Sequence, residues 1–143
     1  MNNSLEKVQA ALADYTAEDG SPFNVTATNN DDISMLTIIR EDIEEFAILA
    51  TASDSQLLFN VPLFDKSQIV DGQAPALNQM MLELNMAMPL SSFALTGANY
   101  SIFGAMSVDS EASQIQEEIV VLSENIMDAL EVCQNYLIQG TSD

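Results

Sequence analysis

The chain has 143 residues, 48% of them hydrophobic, and sets 22 carboxylates against three basic side chains with no histidine, for a formal net charge of −19. One domain of this length buries enough apolar surface to form a core unaided, and the single cysteine, Cys133, excludes an intramolecular disulfide. Phosphate-rich ligands are held by Lys and Arg, so nucleic acid and anionic membrane surfaces are excluded as direct partners.

The opening residues, Met1 to Lys7, have neither the basic start nor the apolar run of a signal peptide. No stretch supplies the ~20 apolar residues that a bilayer span needs. The expectation is a cytoplasmic protein of bacterial type, without membrane insertion, in which 1–143 is a single domain frayed at 1–3 and 140–143. The acidity itself has two readings: adaptation to salt and solubility, or a surface matched to a basic partner.

Asn3 and Glu6 stand at the spacing of a capping box. Leu5, Val8 and Leu12 follow at helical intervals, which predicts a first helix over Ser4 to Tyr15, stopped by Glu18-Asp19-Gly20-Ser21-Pro22. Alternation then predicts strands at Phe23 to Ala27, Leu36 to Arg40, Phe46 to Ala52 and Gln56 to Phe64. Their short connections imply an antiparallel meander. Pro62 lacks an N–H, so the fourth strand is expected to end there or to lie at an edge.

Pro75 suits the first turn of a second helix, with Leu77, Met80, Met81 and Leu84 as its apolar face and Pro89 as its stop. Phe93 to Leu95 and Tyr100 to Val108 predict a hairpin, in which Gly104 marks a bulge or a close backbone approach. Ile115, Ile119, Leu122, Ile126, Ala129, Cys133 and Tyr136 repeat at 4-3 spacing, the strongest helical signal in the chain. Val120, Met127, Leu130 and Leu137 widen that stripe beyond what one seam needs. The fold class expected is α+β, an antiparallel sheet with helices in the order α-ββββ-α-ββ-α.

Chemistry is sparse. Without histidine the chain lacks the usual general base near neutrality and the commonest metal ligand. Cys133 lies on the apolar seam, which implies a core residue rather than a nucleophile. The scattered glycines form no phosphate-cradling loop. Glu41, Asp42, Glu44 and Glu45 lack the spacing of a calcium loop and read as a solvated turn. No catalytic residue, cofactor site or metal site is assigned. The remaining feature is methionine: Met80, Met81, Met86 and Met88 crowd nine residues, either as core filler or as an adaptable binding face. With Val120, Met127 and Leu130 they are the candidate partner-binding residues.

The order of elements resembles the class I type III secretion chaperone fold, with Ala76-Leu77-Asn78-Gln79-Met80-Met81-Leu82-Glu83-Leu84-Asn85 similar to its second-helix region. Met86-Ala87-Met88-Pro89-Leu90-Ser91-Ser92-Phe93 and Tyr100-Ser101-Ile102-Phe103-Gly104-Ala105-Met106-Ser107 resemble the uncharacterised bacterial YjfI family. The chaperone resemblance implies a homodimeric, non-enzymatic scaffold. The YjfI resemblance implies a setting near proteins similar to phage-shock protein A, and no activity. Together they lead to a chaperone-like or adaptor protein, homodimeric, with a protein partner that is phage-shock-protein-A-like. The alternatives are a carboxylate-based or metal-dependent enzyme and a nucleic-acid mimic that binds a basic protein.

Overall fold

The computed structural model describes residues 3–30 and 33–138, the side chains of 3, 29, 30, 33 and 34 aside. Helix α1 (Asn3–Leu12) leads into strands β1 (Phe23–Asn30), β2 (Ile33–Arg40), β3 (Ile48–Ala52) and β4 (Gln56–Asp65). Helix α2 (Ala74–Asn85), strands β5 (Ser92–Thr96) and β6 (Asn99–Ser107) and helix α3 (Ala112–Cys133) complete the chain. The strands form one antiparallel sheet in the order β1-β2-β3-β4-β6-β5. The expected α+β class and element order hold.

Alternation decides which face is buried. Leu36, Ala50, Phe59 and Gly104 stand side by side across the sheet, and the neighbouring inward positions are Ile38, Ile48, Val61 and Ile102. All of them are buried. α1 packs on β1 to β3 and against α3, α3 lies on β4 and β6, and α2 sits beside β5. The core between the layers takes the seam of α3 as its floor: Ile115, Ile119, Leu122, Ile126, Ala129 and Cys133 are all buried. The opposite sheet face carries Thr37, Leu49, Asn60 and Phe103 in one row, all half-buried.

Three local expectations change. The first helix stops at Leu12, because Asp14 takes a left-handed backbone (φ 61°), and Tyr15 stacks on Phe23 with ring centroids 6.3 Å apart. Pro62 neither ends β4 nor lies in an edge strand; β4 is interior and runs on to Asp65. β3 pairs with β4 only from Leu49↔Asn60 to Ala52↔Leu57, so Pro62 lies past its reach, and the register toward β6 shifts between Pro62 and Phe64. The missing N–H therefore falls where the ladder is already open. The bulge expected at Gly104 is absent there; the glycine serves a close approach, described below.

Candidate functional site

At the α2–β5 corner several large apolar side chains reach solvent. α2 begins with Pro75 in its first turn and turns Leu77 and Met81 into the core. Leu82 falls off that stripe and is 71% exposed, and Met86, just past the helix, is 96% exposed. Leu90 and Leu95 add further exposed apolar surface. Between α2 and β5 lies an open cavity of about 230 Å³ lined by Met81, Leu82, Phe93, Leu95 and Tyr100. A second, of about 200 Å³, lies between residues 84–89 and α3 and is lined by Met88, Pro89, Phe93, Ala129 and Val132.

This corner is also a sparsely charged part of an acidic chain. Between Ala74 and Val108 the only charged residue is Glu83, which accepts a hydrogen bond from Gln79 Nε2 at 3.2 Å, and α3 adds Asp128 beside the second cavity. Polar contacts fix the corner in place. The Tyr100 hydroxyl donates to Asn78 Oδ1, and Phe64 stacks on the Tyr100 ring at 5.2 Å. Burial raises the Tyr100 pKa, and the bond to Asn78 offsets part of that rise. The Phe93 N–H donates to Asn85 Oδ1 at 2.7 Å, so the end of α2 caps part of the free β5 edge.

The seven candidate partner-binding residues do not form one surface. Met86 is exposed as described, whereas Met81 is 4% exposed and is a core residue, because helical spacing sets it on the same face as Leu77. Met80, Met88, Val120 and Leu130 are half-buried against the core. Met127 is 53% exposed, but it lies in a groove with Asp42, Glu45 and Glu124. Asp128, Ala129 and Val132 are the α3 residues that face the 84–89 segment. Met127 and Met86 are therefore on different sides of α3. Leu82, Leu90 and Leu95 were not singled out by the sequence reading, although Leu82 is an apolar residue off its helix stripe and the charge gap from 74 to 108 is plain in the sequence.

Buried polar groups hold the neighbouring elements together. Arg40, at the end of β2, donates from Nε to Asp42 Oδ1 at 2.8 Å, from Nη1 to Ser123 Oγ at 2.9 Å and from Nη2 to Asp19 Oδ2 at 3.0 Å. Hydrogen bonds from Ser21 lower the Asp19 pKa, and the Arg40 charge lowers it further. On α3, Asn125 Nδ2 donates to the Pro89 carbonyl at 2.9 Å and to Ser91 Oγ at 3.0 Å. Two turns earlier Glu118 is 6% exposed, and its Oε2 has no hydrogen-bond partner. Burial, then the charge of Glu117, pushes its carboxyl from 4.5 up to about 7. It sits directly over Gly104, where a Cβ would overlap Oε2 and stand 3.1 Å from the Leu90 carbonyl oxygen. Cys133 is buried, and burial pushes its thiol up to about 12.

Among the described residues no group of three or more His, Cys, Asp or Glu side chains is arranged to hold a metal ion, and no helix is long and apolar enough to cross a membrane. Glu41, Glu44 and Glu45 are exposed in the turn between β2 and β3, with Asp42 drawn to Arg40.

A two-layer α+β protein with a sparsely charged apolar corner is the class that fold and surface define. The chain belongs to the family of uncharacterized proteins conserved in bacteria designated DUF2170, whose model matches residues 2–137. A search of curated proteins finds no match. Among solved structures it is similar to YbjN from E. coli, at 14% identity and a TM-score of 0.58, over 94% of this chain and 95% of that one. It is also similar to the Yersinia pestis type III secretion chaperone SycH, solved in complex with a stable fragment of YscM2. That likeness has 17% identity and a TM-score of 0.47, over 90% of this chain and 96% of that one.

Proposed function

We propose that this protein acts by binding protein, as a non-enzymatic chaperone-like or adaptor scaffold, and that its α2–β5 corner is the binding face, occupied by a second copy of the chain. The observation that carries this reading is the coincidence of Leu82, Met86, Leu90 and Leu95, all exposed, with a long stretch of a −19 chain that holds a single charge, Glu83. A basic partner would be drawn to the carboxylates elsewhere. A second copy is repelled by them and can approach only where they are sparse. α2 is roughly 18 Å long, and screening in moderate salt acts over ~10 Å. A contact centred on this corner therefore leaves most opposing carboxylates screened from each other. Two-fold self-association is also the commonest way for a chain to cover such a face.

Binding is favoured over catalysis by the state of the reactive groups. The thiol of Cys133 is buried and held at about 12. Glu118, the carboxyl poised near neutrality, lines neither of the two cavities at the corner. The motifs around Met86 and Tyr100 support treating the chain as one of the YjfI group.

Sedimentation at moderate salt tests the reading. The chain should run at a mass near twice its 15.5 kDa. Burying a leucine contributes about 1.5–3 kcal/mol, and a two-fold contact counts it twice, so Leu82→Asp should weaken association by about 100-fold or more. A monomer at tens of micromolar, or an unaffected Leu82→Asp dimer, contradicts it.

A further inference from the structure

The segment from Met86 to Ser91 carries two of the four exposed apolar residues of that corner, and α3 holds it through Asn125 and brings a second side chain, Glu118, to its border. Asn125 holds the Pro89 carbonyl and the Ser91 hydroxyl. Glu118, seven residues earlier, brings its carboxyl to the space over Gly104 that the Leu90 carbonyl oxygen also borders. Leu90 has a left-handed backbone, φ 61°, which a leucine adopts only when its surroundings hold it there. Yet the Glu118 Oε2 that reaches this region has no donor of its own, in a position where a buried acceptor would normally have one. Two acceptor oxygens that border the same buried space repel each other. A proton on the carboxyl turns the same arrangement into a donor facing an acceptor.

We propose that Glu118 is a proton-operated latch on the binding face: protonated, it donates to the Leu90 carbonyl and fixes the Met86–Ser91 segment, and ionised it releases that segment. The inference rests on the reading of the α2–β5 corner as the binding face. Burial that pushes the carboxyl up to about 7 puts the switch near neutrality. The charged and titratable groups around it are few. Glu117 stands beside it on α3 and opposes its ionisation. On α1, Lys7 Nζ donates to the Val108 carbonyl at 2.7 Å. β6 contributes only Tyr100, whose hydroxyl is on Asn78, and the 86–91 segment contributes none. Gly104 is the enabling residue, since any side chain there would exclude the carboxyl.

The direction follows. Below the Glu118 midpoint the latch is closed, Met86 and Leu90 are presented in a fixed arrangement, and self-association is tighter. Above it the segment loosens and association weakens.

The test combines methyl NMR of the methionines with sedimentation, on the wild-type chain and on Glu118→Gln, whose amide donates to Leu90 at every pH. The Met86 and Met88 methyl signals should titrate with a midpoint near 7 in the wild type and stay flat in Glu118→Gln. Wild-type association should weaken several-fold from one pH unit below that midpoint to one unit above, and that of Glu118→Gln should not. Methyl signals that stay flat in the wild type, or titrate equally in the variant, overturn the latch and leave the binding face standing. Signals that titrate as expected in a chain that remains monomeric support the latch and overturn the binding reading. The side-chain carbon shift of Glu118 in the wild type needs no variant: a midpoint near the ordinary 4.5 overturns the proposal by itself.

Discussion

Gly104→Ala is the sharpest perturbation of the sheet–helix contact. Gly104 has ordinary strand backbone angles, so alanine meets no backbone strain, and strand interiors favour alanine over glycine by roughly 0.5–1 kcal/mol. Against that gain, the new Cβ overlaps Glu118 Oε2 and stands 3.1 Å from the Leu90 carbonyl oxygen and 3.2 Å from the Glu118 carboxyl carbon. The carbonyl is backbone and cannot swing aside. The Glu118 carboxyl is the flexible end of its side chain, but it is buried, so turning aside moves it among packed neighbours. Overpacking of this kind costs about 1–3 kcal/mol. Net of the glycine gain the mid-range loss is about 1 kcal/mol, and at about 3 °C per kcal/mol for a chain of this size the melting temperature should fall by about 3–4 °C. Removing the obstructing carboxyl in Gly104→Ala/Glu118→Ala should recover most of the loss, so the double-mutant cycle should show coupling of about 1 kcal/mol or more. Thermal and urea unfolding of the four proteins measure it. An alanine variant as stable as the wild type, or strictly additive substitutions, would refute the close approach.

Glu118 also sets a pH dependence of stability. Its folded pKa lies above the unfolded value, so the native state holds more protons between 4.5 and about 7, and stability falls as pH rises through that window. The difference between wild type and Glu118→Gln should therefore grow across the window to roughly 3 kcal/mol at most, and a constant difference contradicts it. Cys133→Ala should cost about 1–2 kcal/mol as a small core void, and the native thiol should resist alkylation at neutral pH; rapid labelling of folded protein would show that it is accessible and reactive. Arg40→Ala removes donors from Asp19, Asp42 and Ser123 at once. Because the two carboxylates are partly solvated, the loss should be about 2–4 kcal/mol in urea unfolding rather than the full value of buried ion pairs; a loss below about 0.5 kcal/mol would show that Arg40 does not hold these elements together.

Much of the fold was legible because periodicity reports burial. The 4-3 spacing from Ile115 to Cys133 marked the residues that became the floor of the core, and alternation placed all six strands. What stayed hidden depends on neighbours far away in sequence. Pro62 is tolerated in an interior strand only because β3 is short, a property of a different segment. Gly104 was visible as an odd residue for a strand, but the group that needs it, Glu118, reads in sequence as one more solvated glutamate beside Glu117. The methionine cluster divides for a related reason: four methionines within nine residues wind around a helix and its exit, so they cannot all face one way. Met81 went inward with Leu77, and Met86 went out. The better sequence signal for the corner was the single charge, Glu83, between Ala74 and Val108, set against the density of carboxylates in the rest of the chain.

The central claim, that this sparsely charged corner is the face through which the protein binds a second copy of itself, is tested most directly by hydrogen–deuterium exchange across a concentration series. On passing from dilute to concentrated protein, amides of α2, the 86–91 segment and β5 should become protected, Leu95 at the free edge among them. The acidic outer face of α3 around Glu124 and Glu131 should not change. Protection that rises elsewhere, or a profile that does not depend on concentration at all, would contradict the assignment of this corner as the binding face.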